Sequence, residues 1–359
     1  MNILIGVCGF GNGHSARQAS VLKSLLARGH RVTLLVFDNS ERYFQRHFPD
    51  IPRFGVRVPV IHVNATGIDF GKNAAEPLNR FDDGHTLNFK AMQAVLDTFG
   101  DPPDLVIADY ELVAAQFAYA VDAPLITVDQ HSKYAGFQFP LMNGYSRLED
   151  RSRLGMFFPT AEARYAASFF TVDYPPDPRF AVTLIPPILR EEVLQVTPTL
   201  SQHIVVYLSA NLHVQHNPNA ILETLGAFPE QRFIVYGLAG QTSSNVTFKP
   251  FSTTGFIADI ASAKAVITNG GHNLLSELMY LGKPVYTLPA ASFDQQCCAD
   301  AIQRNGLGLQ VDQFSTDSLA RFLANLDDYR QHIHERRGLS ERFDGTAYLM
   351  ERLNQQFGI

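Results

Sequence analysis

Short apolar runs recur along the chain, each closed by glycine, proline or a polar cluster. Most are followed by a stretch with apolar residues at helical spacing. Asn2–Val7 predicts a buried strand. Gly9-Phe10-Gly11-Asn12-Gly13 is a glycine loop, and Ser15–Arg28 a helix stopped by Gly29. Val32–Phe37 is the next strand, ending in Asp38. Thr86–Phe99 carries helical spacing through Phe89, Met92, Ala94, Val95 and Phe99. Asp104–Ala108 and Leu125–Val128 are further strands, ending in Asp109-Tyr110-Glu111 and Asp129-Gln130-His131. The pattern restarts at His203–Leu208 and continues through strands at Phe233–Tyr236, Asn245–Phe248, Ala265–Thr268 and Val285–Leu288. Helices are expected at Ile257–Ala263, after Gly271 with Leu274, Leu278 and Leu281 on one face, at Ser315–Leu326, at Asp328–Arg337 and at Thr346–Phe357. Strands alternating with helices predict α/β architecture with parallel sheets.

Two stretches carry little pattern. Phe44–Lys90 offers Ile61–Val63 as a strand and reads as loop over Asn64–Asp83. Gln138–Phe180 is rich in aromatic residues, most of them expected in the core. Phe137, Phe139 and Tyr145 are expected to wall an apolar pocket. Pro186–Leu200 reads as the linker between two domains, at 1–188 and 189–337, with a terminal helix in 338–359.

Composition narrows the class. The chain has 359 residues, 46% of them hydrophobic and 18% charged, enough for two packed cores and unlike a disordered chain. A net charge of −6 gives no support to nucleic-acid binding. No apolar run approaches the ~20 residues that span a bilayer. The N-terminus reads as a strand rather than a secretory signal. Three cysteines, Cys8 and the pair Cys297-Cys298, form no disulfide framework and no zinc spacing, and they are expected near the core of a cytoplasmic protein.

The chemistry concentrates at strand ends. The βαβ start with glycines at 9, 11 and 13 begins like a dinucleotide fingerprint, but His14 stands where its third glycine would be. His14 follows Gly13 at the mouth of a helix, at the edge where open α/β sheets bind ligands. A helix N-terminus disfavours imidazolium, so a neutral ring able to act as a base is expected; helix capping is the plainer alternative. Two strand ends dressed with acids, Asp109 with Glu111 and Asp129 with His131, suggest more than helix caps, since a cap would explain one of them.

The second concentration is Asn269–Glu277. A strand, an Asn-Gly-Gly break and a helix together present backbone N–H groups and a positive dipole end, an anion site. Asn273 and Glu277 share a helix face, and Asp294-Gln295 follow the next strand. A phosphate-binding turn beside these groups suits a nucleotide sugar.

These residues resemble the donor signature of GT-B glycosyltransferases, such as the UDP-glucuronosyl- and macrolide glycosyltransferases. Gly271, Asn273, Glu277, Asp294 and Gln295 match that signature; Asn269 stands where its histidine would be. The resemblance implies two Rossmann-like doubly wound domains facing across a cleft, with the last helix returning to the first domain. It implies His14 as general base with Asp109 as its orienting acid and Glu111 as the alternate partner. Gly13, Glu111, Asp129 and His131 are then the acceptor-side candidates. Ser209, Gly237, Phe251, Asn269, Gly270, Gly271, His272, Asn273, Leu274, Glu277, Asp294 and Gln295 make the donor side, with Phe251 against the base, Glu277 on the ribose and Asp294-Gln295 on the sugar.

The expected activity is inverting transfer from a nucleotide diphosphate sugar, UDP-sugar ahead of TDP-sugar, to a hydroxyl of a small-molecule, lipid or glycan acceptor. No Asp-x-Asp pair is present, so no metal and no further cofactor are expected. Peripheral membrane contact and oligomeric state stay open. A nucleotide-sugar 2-epimerase of the same fold and a non-catalytic nucleotide-binding protein are the rival readings.

Overall fold

The computed structural model describes residues 1–80, 83–208, 217–336 and 345–359. It divides into two compact units, Met1–Arg190 with Asp344–Ile359, and Glu191–Phe343.

The first unit opens with β1 (Asn2–Val7), α1 (Gly13–Ala27), β2 (Arg31–Val36), α2 (Asp38–His47) and β3 (Arg53–Gly55). A small hairpin of β4 (Val63–Asn64) and β5 (Gly67–Ile68) leads to α3 (Phe70–Ala75) and α4 (Gly84–Phe99). Then come β6 (Leu105–Asp109), α5 (Leu112–Val121), β7 (Leu125–Asp129), α6 (Ser132–Gly136), α7 (Leu148–Phe157), β8 (Ala163–Ala167) and β9 (Thr183–Ile185). The main sheet has the order β3-β2-β1-β6-β7-β8-β9, parallel throughout.

Its central strand is apolar on both faces, as a parallel strand covered by helices must be. Ile3, Ile5 and Val7 point into one core with Leu22 and Leu25 of α1. Leu4 and Cys8 point into the other, with Val95 of α4, Phe117 of α5 and Leu154 of α7. The terminal helix, α15 (Gly345–Phe357), puts Leu349, Met350 and Leu353 into the first of these cores. Its start is close-packed: a Cβ on Gly345 would lie 2.2 Å from the Pro186 carbonyl oxygen.

The second unit holds α8 (Glu191–Gln195), β10 (His203–Tyr207), α9 (Pro218–Gly226), β11 (Arg232–Tyr236), β12 (Val246–Phe248), α10 (Thr253–Ser262), β13 (Ala265–Thr268) and α11 (His272–Tyr280). It continues with β14 (Val285–Thr287), α12 (Phe293–Arg304), β15 (Gly308–Gln310), α13 (Thr316–Ala324) and α14 (Leu326–Arg336). The sheet order is β12-β11-β10-β13-β14-β15, again parallel.

Both sheets reverse their winding once, between β1 and β6 and between β10 and β13. At such a reversal the connections leave to opposite faces and open a crevice at the strands' carboxyl ends. Val7 is level with Asp109, and Tyr207 with Thr268, so the loops after these strands border the two crevices. The strand ends singled out above for chemistry lie at these places.

The two patternless stretches are ordered by devices that leave no periodicity. Between Arg57 and His62 the backbone is matched by asparagine amides instead of a neighbouring strand. Asn88 bonds both backbone groups of Arg57, Asn79 those of Val60, and Asn73 those of His62. Gln138–Phe180 contains α7 and β8 where core aromatics were expected. Phe139 packs with Tyr134 and Tyr174, ring centroids 5.1 and 4.6 Å apart, and is buried; it is core, not a pocket wall. In α11 the buried face runs through Leu275 and Leu278, with Leu274 only half-buried. Cys8, Cys297 and Cys298 are free thiols and buried. Among the described residues no helix is long and apolar enough to cross a membrane.

Candidate functional site

In the first unit β1 runs into the glycine loop and α1 begins at Gly13. Gly11 holds φ at 79°, and a Cβ on Gly9 would meet the Phe37 carbonyl at 2.1 Å, so these two positions need glycine. The loop turns the chain so that His14 falls in the first turn of α1, beside the end of β6. Its Nδ1 lies 2.8 Å from Asp109 Oδ1. In the neutral ring that bond puts the proton on Nδ1 and leaves Nε2 as the acceptor nitrogen.

Asp109 is fully buried and well supplied with donors. Arg17 reaches it with Nε at 3.0 Å and Nη2 at 2.8 Å, and Gln18 Nε2 donates at 3.0 Å. Gln18 also donates to the Val128 carbonyl at 2.9 Å, and Arg17 Nη1 to Gln130 Oε1 at 3.4 Å. Six residues of α1, β6 and the end of β7 are thereby locked into one network. Arg17 and Gln18 escaped the sequence reading. The available signal was spacing: Arg17 lies three residues after His14, on the face of α1 that turns inward, where a charge needs a partner.

Burial would push the Asp109 carboxyl up, but Arg17 and then His14 outweigh it and hold it well below the usual carboxylate range. Burial pulls the His14 imidazole down, the Cys8 sulfur and the Asp109 carboxylate pull it up, and the balance lies at about 9. The expectation of a neutral ring is therefore corrected. The Cys8 sulfur and a buried carboxylate in direct contact together outweigh burial and the partial charge of a helix end.

Two acid candidates are also corrected. Glu111 is the N-cap of α5, accepting from the Val113 and Ala114 N–H groups at 2.7 Å each. It is wholly buried, and burial, only partly offset by these bonds, pushes it up to about 7. Asp129 is equally buried and accepts from the Ser132 N–H and hydroxyl at 2.6 Å each, closing the start of α6. Both strand ends carry caps, so the reasoning that a cap would explain only one of them fails. His131 does meet the network: its ring centroid is 5.9 Å from that of His14, with the planes 10° apart. Its Nδ1 is 3.1 Å from Asp150 on α7.

In the second unit β13 ends at Thr268 and the chain breaks at Asn269-Gly270-Gly271. Gly270 holds φ at 85°, a conformation costly to any side chain. Gly271 is the N-cap of α11 and has no side chain to close the helix start. A Cβ on Gly271 would meet nothing within 4 Å, so the approach to the helix start is open. Asn269 turns its amide to the Leu288 carbonyl, 3.3 Å away, and so ties the ends of β13 and β14 together. His272 is buried and Asn273 half-buried; Glu277, one turn further along α11, is buried too.

The start of α12 lies against this turn: the Gln295 carbonyl is 3.7 Å from where a Gly270 Cβ would stand. Asp294 is half-buried in the first turn of α12. Gln295 accepts from the Ala290 N–H at 3.0 Å. On the other side of β10, Phe251 is 50% exposed, with Tyr207 and Phe256 rings 6.0 and 5.3 Å away. Gly237 has φ at 81°, and a Cβ there would strike the Leu208 carbonyl at 2.2 Å, which accounts for glycine at the end of β11. Ser209 lies outside the described residues. Among the described residues no three His, Cys, Asp or Glu side chains are grouped as a metal ion would need.

The profile of glycosyl transferase family 1 matches residues 1–327. A curated Methanosarcina acetivorans protein, described as an uncharacterized glycosyltransferase, is 22% identical, with the alignment covering all of this chain and 97% of that protein. Among solved structures, the glycotransferase of kitacinnamycin superposes with a TM-score of 0.70 at 17% identity, over 99% of this chain and 98% of that one. A UDP-glucose: anthocyanidin 3-O-glucosyltransferase in complex with UDP superposes at 0.68 and 14% identity, over 99% of both chains. At these identities the structural likeness establishes the fold, GT-B.

Proposed function

The chain belongs to glycosyl transferase family 1 and is a glycosyltransferase; from that premise we propose an inverting, metal-independent transfer from a nucleotide diphosphate sugar, UDP-sugar first, to an acceptor hydroxyl. The observation that carries this reading is the buried His14–Asp109 pair with Arg17 on the same carboxylate. A nucleotide-binding protein without a reaction has no use for an imidazole so held.

In its neutral form, His14 takes the proton of the acceptor hydroxyl on Nε2 as that hydroxyl's oxygen attacks the anomeric carbon and the bond to the diphosphate breaks. Asp109 keeps the tautomer and stabilises the imidazolium that forms. Arg17 and Gln18 fix the carboxylate, so the base is preorganised by groups that never touch substrate.

The diphosphate belongs at the start of α11, where the open approach at Gly271 and the positive end of the helix dipole favour an anion. Charge builds on the leaving group there, and backbone N–H groups stabilise it as it forms. Asn269 ties the turn together instead of supplying the charged contact of the related histidine. Glu277 is assigned to the ribose, Asp294-Gln295 to the sugar and Phe251 to the base. The helix end takes the place of a metal ion, no cofactor beyond the co-substrate is required, and we assign the protein to the cytoplasm. Donor site and base lie on different units, so turnover requires both.

His14→Ala tests the reading. Nucleotide binding should stay near normal and turnover fall ~10²–10⁴-fold. Full turnover in that variant removes His14 from the mechanism. An absolute need for magnesium after chelation refutes the metal-independent reaction. Consumption of donor with no acceptor and no release of nucleotide diphosphate identifies an epimerase instead.

A further inference from the structure

We propose that His131, backed by Asp150, is a second hydroxyl-contacting position of the acceptor site, and that the acceptor is a polyol or sugar with two neighbouring hydroxyl groups. This rests on the glycosyltransferase reading and names its acceptor class.

The two imidazoles are built alike. Each has Nδ1 on a carboxylate, His14 on Asp109 at 2.8 Å and His131 on Asp150 at 3.1 Å. Each side chain keeps a narrow edge in solvent, 10% exposed for His14 and 12% for His131. The rings lie parallel, 5.9 Å apart. A carboxylate on Nδ1 assigns the proton there and leaves Nε2 to accept from a hydroxyl. His131 Nε2 has a long contact, 3.4 Å, to the Gln130 amide, which a hydroxyl can replace.

The second pair is held with care. Asp150 comes from α7, on the far side of a long connection, and so is not a local helix cap. Tyr110 follows Asp109 directly, with φ at 56°, an unusual conformation for a bulky residue. Its ring lies 4.6 Å from His131 and 6.1 Å from His14. Arg153 of α7 donates to the Tyr110 hydroxyl at 2.8 Å, and that hydroxyl lies 3.4 Å from Asp150. Strained backbone kept by surrounding bonds marks a place where position matters. Two parallel imidazoles offer two hydrogen-bond positions: one takes the proton of the reacting hydroxyl, and the other accepts from its neighbour. A monohydroxy acceptor fills only the first.

The test uses the full chain with a UDP-sugar donor and a panel of nitrophenyl glycosides, each paired with its monodeoxy counterpart, turnover being read as UDP release. The wild type should prefer the glycoside with both hydroxyls, and His131→Ala should lower its kcat/KM about 10–100-fold, bringing the ratio to near one. His131→Gln, which keeps one hydrogen bond and fills more of the space, should retain part of the preference and serves if the alanine variant does not fold. No preference in the wild type, or an unchanged ratio in a folded variant, overturns the inference. Full activity of His14→Ala in the same assay removes the underlying reading instead, so the two failures are distinguishable.

Discussion

Raising pH from 6.5 to 9 should make this protein more active and less stable, because both properties depend on the proton of His14. With the imidazole at about 9, the ring is largely charged at neutral pH before substrate binds. Preferring imidazolium over an ordinary histidine by that margin corresponds to about 3 kcal/mol. The folded value is raised, so this stabilisation is fully present below the unfolded value near 6.5 and is lost as pH climbs through about 9. Only the neutral ring accepts a proton, so kcat/KM should rise about tenfold per pH unit from 7 to 8 and level off near 9. The profile of kcat/KM reports the free enzyme, the state this geometry describes. Asp109→Asn supplies the control. It removes the Asp109 share of what holds the ring up, leaves the Cys8 sulfur in place and keeps Arg17 buried beside the ring, so the rising limb should move to lower pH while the plateau falls. Losing the carboxylate charge should also destabilise the fold by about 3–5 kcal/mol, since the buried Arg17 guanidinium then lacks the Asp109 counter-charge. The measurements are kcat/KM from pH 5.5 to 10 and urea midpoints across the same range, wild type against variant. A wild-type limb at or below 6.5, or wild-type stability that does not fall relative to Asp109→Asn above pH 7, refutes the account of this pair.

Two further outcomes test the assignments that the structure revised or sharpened. Glu111→Gln should leave kcat within about twofold and change stability by no more than about 1–2 kcal/mol, since the residue caps α5 and faces no substrate; a 100-fold loss of kcat in a folded protein would return Glu111 to the chemistry. Gly270→Ala should raise the donor KM and destabilise the second unit by about 1–2 kcal/mol, because alanine at φ 85° forces the turn that opens α11 to distort; unchanged donor affinity by calorimetry would separate that turn from the diphosphate.

The sequence alone determined what is local. Apolar runs and glycine stops located β1, β10 and β13 to within a residue, and α11 and α15 nearly as well, because a buried parallel strand and an amphipathic helix each print their period directly into the chain. The positive-φ glycines at 270 and 237 were legible as breaks for the same reason: the need for glycine is a property of one residue's backbone. What tertiary structure decided is which polar side chains face one another. Asp109, Glu111 and Asp129 are equivalent on paper, each an acid at the end of a strand. The pairing of β6 with β1 brings the first to His14 and Arg17 of α1, while the helices that follow claim the other two. The helix end suggested a neutral His14, while the charge of Asp109, 95 residues away, was placed beside it only by the resemblance, and its effect on the ring depends on burial and direct contact. Asp150 reaches His131 only because α7 folds against α6. Contact between remote residues is fixed by sheet order and packing, and neither is encoded at the positions that meet.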